Sequence, residues 1–177
     1  MVSLRPNTLY IPLYVRSDPP VPDNLHWALY HHHDADIGGG TKYHITNEGG
    51  RGVWITSHGS ESNILKTFLL VGLVRIADIP STCADAMDRL IRSYDTQLND
   101  LDVTCRTWLF RVLQLLQDKQ TEPVGAATGR LLDANVDLEI LESAVKEWGN
   151  RFAAEACLNV QPRPVGEPPC TDSASAC

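Results

Sequence analysis

The chain has no CxxC pair, no cluster of lysines and arginines, no internal repeat and no apolar run near the roughly 18 residues that span a bilayer. Each absence removes a class. Cys83, Cys105, Cys157, Cys170 and Cys177 lack the spacing of a zinc ribbon or a disulfide framework, so a reducing compartment is the simplest setting. The start MVSLRPNTLYIPLYV is polar early and soon interrupted by Asp18 and the prolines at 19, 20 and 22. Neither a signal peptide nor a transmembrane segment is expected there, and the expected location is the cytoplasm. With 15 Lys+Arg against 22 Asp+Glu, the net charge of −7 is repelled by phosphate backbones and anionic lipid surfaces, so no nucleic acid partner is expected.

What is present is ordinary globular composition: 177 residues, 43% apolar and 21% charged, enough for one core. Strand patterns fill the first half and helical ones the second, which predicts an α+β fold with an antiparallel meander packed against about three helices. Leu9 to Val15 is a β-rich run closed by the proline loop Ser17 to Asn24. Strands are predicted over Leu25 to His31, Thr41 to Asn47 and Gly52 to Ser57, joined by turns at Asp34 to Gly40 and Glu48 to Gly50. Phe68 to Ile79 reads as one or two more strands.

After Pro80 the period lengthens. Ser81 or Thr82 is placed to cap a helix carrying Met87, Leu90, Ile91 and Tyr94 on one face. A second helix starts near Thr104, with Cys105, Trp108, Leu109, Val112 and Leu116 on one stripe. The third, Val136 to Ala156, repeats the template with Leu141, Ala144, Val145, Trp148 and Phe152. A single domain over residues 1–160 is expected, followed by a disordered tail over 161–177 with four prolines.

The chemistry gathers around His26-Trp-Ala-Leu-Tyr30 and Lys42-Tyr-His-Ile-Thr46. Alternate strand residues share a face, so His26 groups with Ala28 and Tyr30, and His44 with Lys42 and Thr46. If the strands pair, the two imidazoles come within reach of each other. Cys105 is the candidate third partner: a thiol in the first turn of a helix feels the positive end of the macrodipole, and an imidazole favours the thiolate. Nucleophile, base and orienting group would then be present. Each residue taken singly also has a plain structural reading, a small buried cysteine or a hydrogen-bonded histidine.

The order HWALY, then Tyr43-His44, then Cys105-Arg-Thr-Trp108 opening a helix, resembles the permuted papain-like branch that includes the lecithin retinol acyltransferase and NlpC-like families. The resemblance covers roughly Leu9 to Leu116. It implies that His26 acts as base, His44 orients it and Cys105 forms a thioester with an acyl group. Relatives usually carry asparagine where this chain has Thr104, and the turn between the histidines is longer here by His31, His32, His33 and Asp34. The acyltransferases commonly have a membrane-anchoring tail, and this tail is polar, so a bilayer lipid substrate does not carry over. The HWALY pattern also resembles small uncharacterised fungal proteins.

Two other clusters invite function. His31, His32 and His33 with Asp34 and Asp36 could offer a turn-borne metal site or form a solvated hairpin tip. Gly38-Gly39-Gly40 lacks the phosphate-loop pattern and following helix and reads as a flexible turn. Arg106, Thr107 or the helix-start N–H groups could donate to an oxyanion, and Trp27, Trp54 and Trp108 could wall a pocket or fill the core. The expected activity is cysteine-dependent acyl transfer or hydrolysis on an ester, thioester or amide of a small molecule, without cofactor or metal. The alternative is a non-catalytic small-molecule-binding or pathway-accessory domain on the same fold.

Overall fold

The computed structural model describes residues 3–33, 39–47, 52–100, 102–118, 120–121 and 129–167. Asp34, Asp36, Gly38 and the turn residues 48–50 lie outside these, as do Cys170 and Cys177. The α+β expectation holds: among the described residues, three helices pack on a mostly antiparallel sheet.

The strands are β1 (Thr8–Val15), β2 (Leu25–Trp27), β3 (Leu29–His32), β4 (Gly40–Tyr43), β5 (Ile45–Thr46), β6 (Ile55–Thr56), β7 (Gly59–Glu61), β8 (Leu70–Asp78), β9 (Gln120–Thr121), β10 (Gly129–Arg130) and β11 (Val165–Gly166). The helices are α1 (Ala84–Arg92), α2 (Cys105–Asp118) and α3 (Leu138–Cys157). The main sheet runs β11-β8-β1-β3-β4-β7, with β2 also paired to β1; β5 with β6 and β9 with β10 form separate pairs. The meander is therefore only partial. β6 leaves the main sheet, and β8, reached from β7 through residues 62–69, lies on the far side of β1 from β3.

Alternation along β1 divides the molecule. Leu9, Ile11, Leu13 and Val15 face the larger core with Trp27, Tyr43, Ile45 and the apolar stripes of α2 and α3, while Tyr10 faces a smaller cluster with Tyr30, Ile64, Leu70 and Leu73. Gly149 lets α3 lie close: an added Cβ there would sit 2.5 Å from Leu25 Cδ1 and 2.7 Å from Leu13 Cδ1.

The helix starts differ from expectation in one case. Ser81–Cys83 forms a 3-10 turn and α1 begins at Ala84 without a side-chain cap, because Pro80 sets the turn before the helix. Asp137 caps α3, accepting from Glu139 N at 2.9 Å and Ile140 N at 3.1 Å.

Of the tail expected to be disordered from 161 onward, residues 161–167 are described and lie against the sheet, and 168–177 lie outside the described residues. β11 pairs in parallel with β8, and Leu73 N donates to Pro164 O at 3.1 Å. Arg163 is 1% exposed, its guanidinium donating to Val160 O and Asn159 Oδ1 at 3.2 and 2.7 Å. A polar, proline-rich segment docks here because it supplies a backbone acceptor and β-bridge to an otherwise open edge.

The hairpin tip is also corrected. His31 and His32 are buried strand residues, 3% and 6% exposed, with Tyr30 Oη 3.1 Å from His32 Nδ1 and Thr41 Oγ1 3.1 Å from His33 Nε2. Gly40 is a strand residue rather than a flexible one: a side chain there would collide with His31 O and the Tyr30 ring. Among the described residues no group of three His, Cys, Asp or Glu is placed to hold a metal ion, and no helix is long and apolar enough to cross a membrane.

Candidate functional site

His26 lies at the centre of β2, opposite Tyr14 of β1, and His44 sits in the break between β4 and β5. Pairing of β3 with β4 brings the two segments alongside, and His26 Nε2 lies 2.9 Å from His44 Nδ1, the rings meeting edge to face. Alternation puts both imidazoles on the side away from Trp27, Tyr43 and Ile45, as the two-residue period requires.

Cys105 opens α2 and is 3% exposed, counted among the larger core's residues. Thr104 is the helix cap: its Oγ1 accepts from Thr107 N at 3.2 Å while Thr107 Oγ1 accepts from Thr104 N at 2.7 Å. This reciprocal pair satisfies two helix-end donors, so threonine does at this place the capping work that asparagine can also do.

No hydrogen bond joins either imidazole directly to the sulfur. Arg16, the residue after β1, contacts both: its Nη2 is 3.5 Å from Cys105 Sγ and 3.5 Å from His26 Nδ1. Arginine only donates, so His26 Nδ1 must present its lone pair to Arg16. In neutral His26 the ring proton then sits on Nε2 and is donated to His44 Nδ1, which places the His44 proton on its own Nε2. Burial first, then His44, Arg16 and Lys42, push the His26 pKa down to about 3. Burial, Lys42 and His58 push His44 down to about 4. Both rings are therefore neutral at neutral pH.

A third histidine, missed in the sequence, completes the cluster. His44 N donates to His58 Nδ1 at 3.1 Å, and Ser57 N donates to His44 O at 2.9 Å, so this short segment clamps the His44 backbone on both sides. His58 Nδ1 being an acceptor, its Nε2 carries the proton and donates to Asp95 Oδ1 at 3.1 Å. The His58 ring also stacks on Trp108, one turn after Cys105.

The remaining expectations sort plainly. Arg106 Nε lies 3.2 Å from Glu142 Oε1 and Thr107 is engaged in the cap, so neither faces the cysteine. Trp27 and Trp108, 1% and 0% exposed, fill the core. Trp54 is half-buried and borders a shallow cleft with Asn99 and Val103, away from the histidines. Arg16, His58 and Asp95 had no signal in periodicity: they sit in loops or at element ends.

A family model described as a family of unknown function, DUF6914, matches residues 7–156. The chain belongs to this family. The DUF6914 match runs from β1 almost to the end of α3 and takes in Arg16, His26, His44, His58, Asp95 and Cys105. It stops short of β11. No curated protein and no solved structure matches the chain.

Proposed function

We propose that this chain is a cysteine-dependent acyl-transfer or hydrolytic enzyme of permuted papain-like architecture, acting on an ester, thioester or amide of a small molecule. The observation that supports it is the convergence of Cys105 Sγ and His26 Nδ1 on one guanidinium nitrogen, with the far side of His26 held by His44. His26 Nδ1 takes the thiol proton as the Sγ–carbon bond forms at the carbonyl. The bond to the leaving group breaks as His26 returns that proton to it, leaving a thioester on Cys105. Water or an alcohol or amine acceptor then attacks the thioester, giving its proton to His26, which passes it to the departing sulfur. His44 accepts the Nε2–H throughout and holds the ring in the tautomer that leaves the Nδ1 lone pair free.

A second reading, a non-catalytic domain that only binds a small molecule, is favoured by the burial of Cys105 and by the sulfur's hydrogen bond being to Arg16 and not to an imidazole. Iodoacetamide labelling at neutral pH, followed peptide by peptide, separates the two. Labelling of Cys105 faster than that of half-buried Cys83, slowed about tenfold or more in His26→Ala, supports the enzyme. Equal rates in wild type and His26→Ala remove the base and leave the binding domain.

A further inference from the structure

We infer that the substrate of this site carries a carboxylate close to its reacting carbon and that Arg16 is the residue that receives it. The inference rests on the thiol reading above and narrows it to a class of acyl donor.

Arg16 is exposed, and among the described residues no carboxylate lies within 4.0 Å of its guanidinium, although the chain has 22 acidic residues. Its contacts are two long ones from a single nitrogen, to a sulfur and an imidazole. The rest of a five-donor fork suited to bidentate carboxylate binding is unspent. Lys42 adds a second positive charge on the His44 face; its Nζ stands 5.8 Å from the Tyr14 ring centroid and only 3.9 Å from Glu61 Oε2, a loose pairing. Tyr14, whose ring adjoins His26, has a buried hydroxyl without a partner. Arg16, with no carboxylate beside it among the described residues, thus brings a positive charge against the buried thiol, and Lys42, facing Glu61, brings a second near the histidines.

Iodoacetate and iodoacetamide are matched probes, differing in the carboxylate beside the reactive carbon. Each forms an S–carbon bond with loss of iodide, the thiol proton leaving to His26 or water. The quantity read is the iodoacetate-to-iodoacetamide rate ratio at Cys105, divided by the same ratio at Cys83, in the full chain. A normalised ratio on the order of tenfold above one in wild type, falling to about one in Arg16→Ala and in part retained in Arg16→Lys, is the expected result. Rapid iodoacetamide labelling of Cys105 that depends on His26, with a normalised ratio near one that Arg16→Ala does not change, overturns the carboxylate and leaves the thiol reading standing. Absence of labelling by both reagents overturns both.

Discussion

His58 Nδ1 takes the backbone N–H of His44 at 3.1 Å while its ring stacks on Trp108, tying the strand that carries one histidine to the helix that carries the cysteine. The far nitrogen is held by Asp95, so the ring has one tautomer and one orientation. A residue with no direct contact to Cys105 therefore sets how the imidazoles stand relative to it.

His58→Ala leaves the His44 N–H without its acceptor and opens a gap beside Trp108. A loss of about 1–3 kcal/mol is expected in urea unfolding. Asp95→Asn keeps the stack and the His44 bond and should cost less. If His58 only fills space, His58→Phe would restore both stability and Cys105 labelling; restoring stability alone marks His58 as a positioning residue.

Acid should unfold the protein early. His26 at about 3, His44 and His31 at about 4, and His32 also lowered, all chiefly by burial, stay neutral where the unfolded chain binds protons near pH 6.5. Between about pH 6.5 and 4 the unfolded state thus holds more protons, and stability rises with pH. The contribution is complete above about pH 7 and lost as pH falls below 6.5, at no more than about 1.4 kcal/mol per pH unit for each group and less where solvent screens it. Urea midpoints from pH 7.5 to 4.5 measure the slope, and replacing His31, which is remote from the thiol, should flatten it. A flat profile contradicts the burial of these rings.

Shortening the chain after Val160 removes β11, the buried Arg163 and the acceptor of Leu73 N. A buried donor without a partner alone costs about 1–3 kcal/mol, so the truncated chain should lose at least about 2 kcal/mol in thermal or urea unfolding. Arg163→Ala keeps the Leu73 bond and should lose less than the truncation.

Much of this was legible in the residues. The alternation through His26-Trp-Ala-Leu-Tyr30 and Lys42-Tyr-His-Ile-Thr46 assigned the two imidazoles to one side, and the i, i+3, i+4 stripe from Cys105 placed the cysteine at a buried helix start. Thr104 was legible as a helix start, and its reciprocal bonds with Thr107 satisfy N–H groups that the first turn leaves open. Arg16 was hidden because it follows a strand and meets Cys105 across 89 residues of chain.

Local periodicity determined the strands, the helices and which face each histidine takes, because backbone geometry repeats every two or 3.6 residues whatever lies beyond. The crossing of β8, the docking of residues 161–167 and the contact of Arg16 with both sulfur and ring were decided only in three dimensions. Those depend on which surfaces remain uncovered once the sheet has formed, and on a long flexible side chain finding its neighbours there, neither of which leaves a periodic trace.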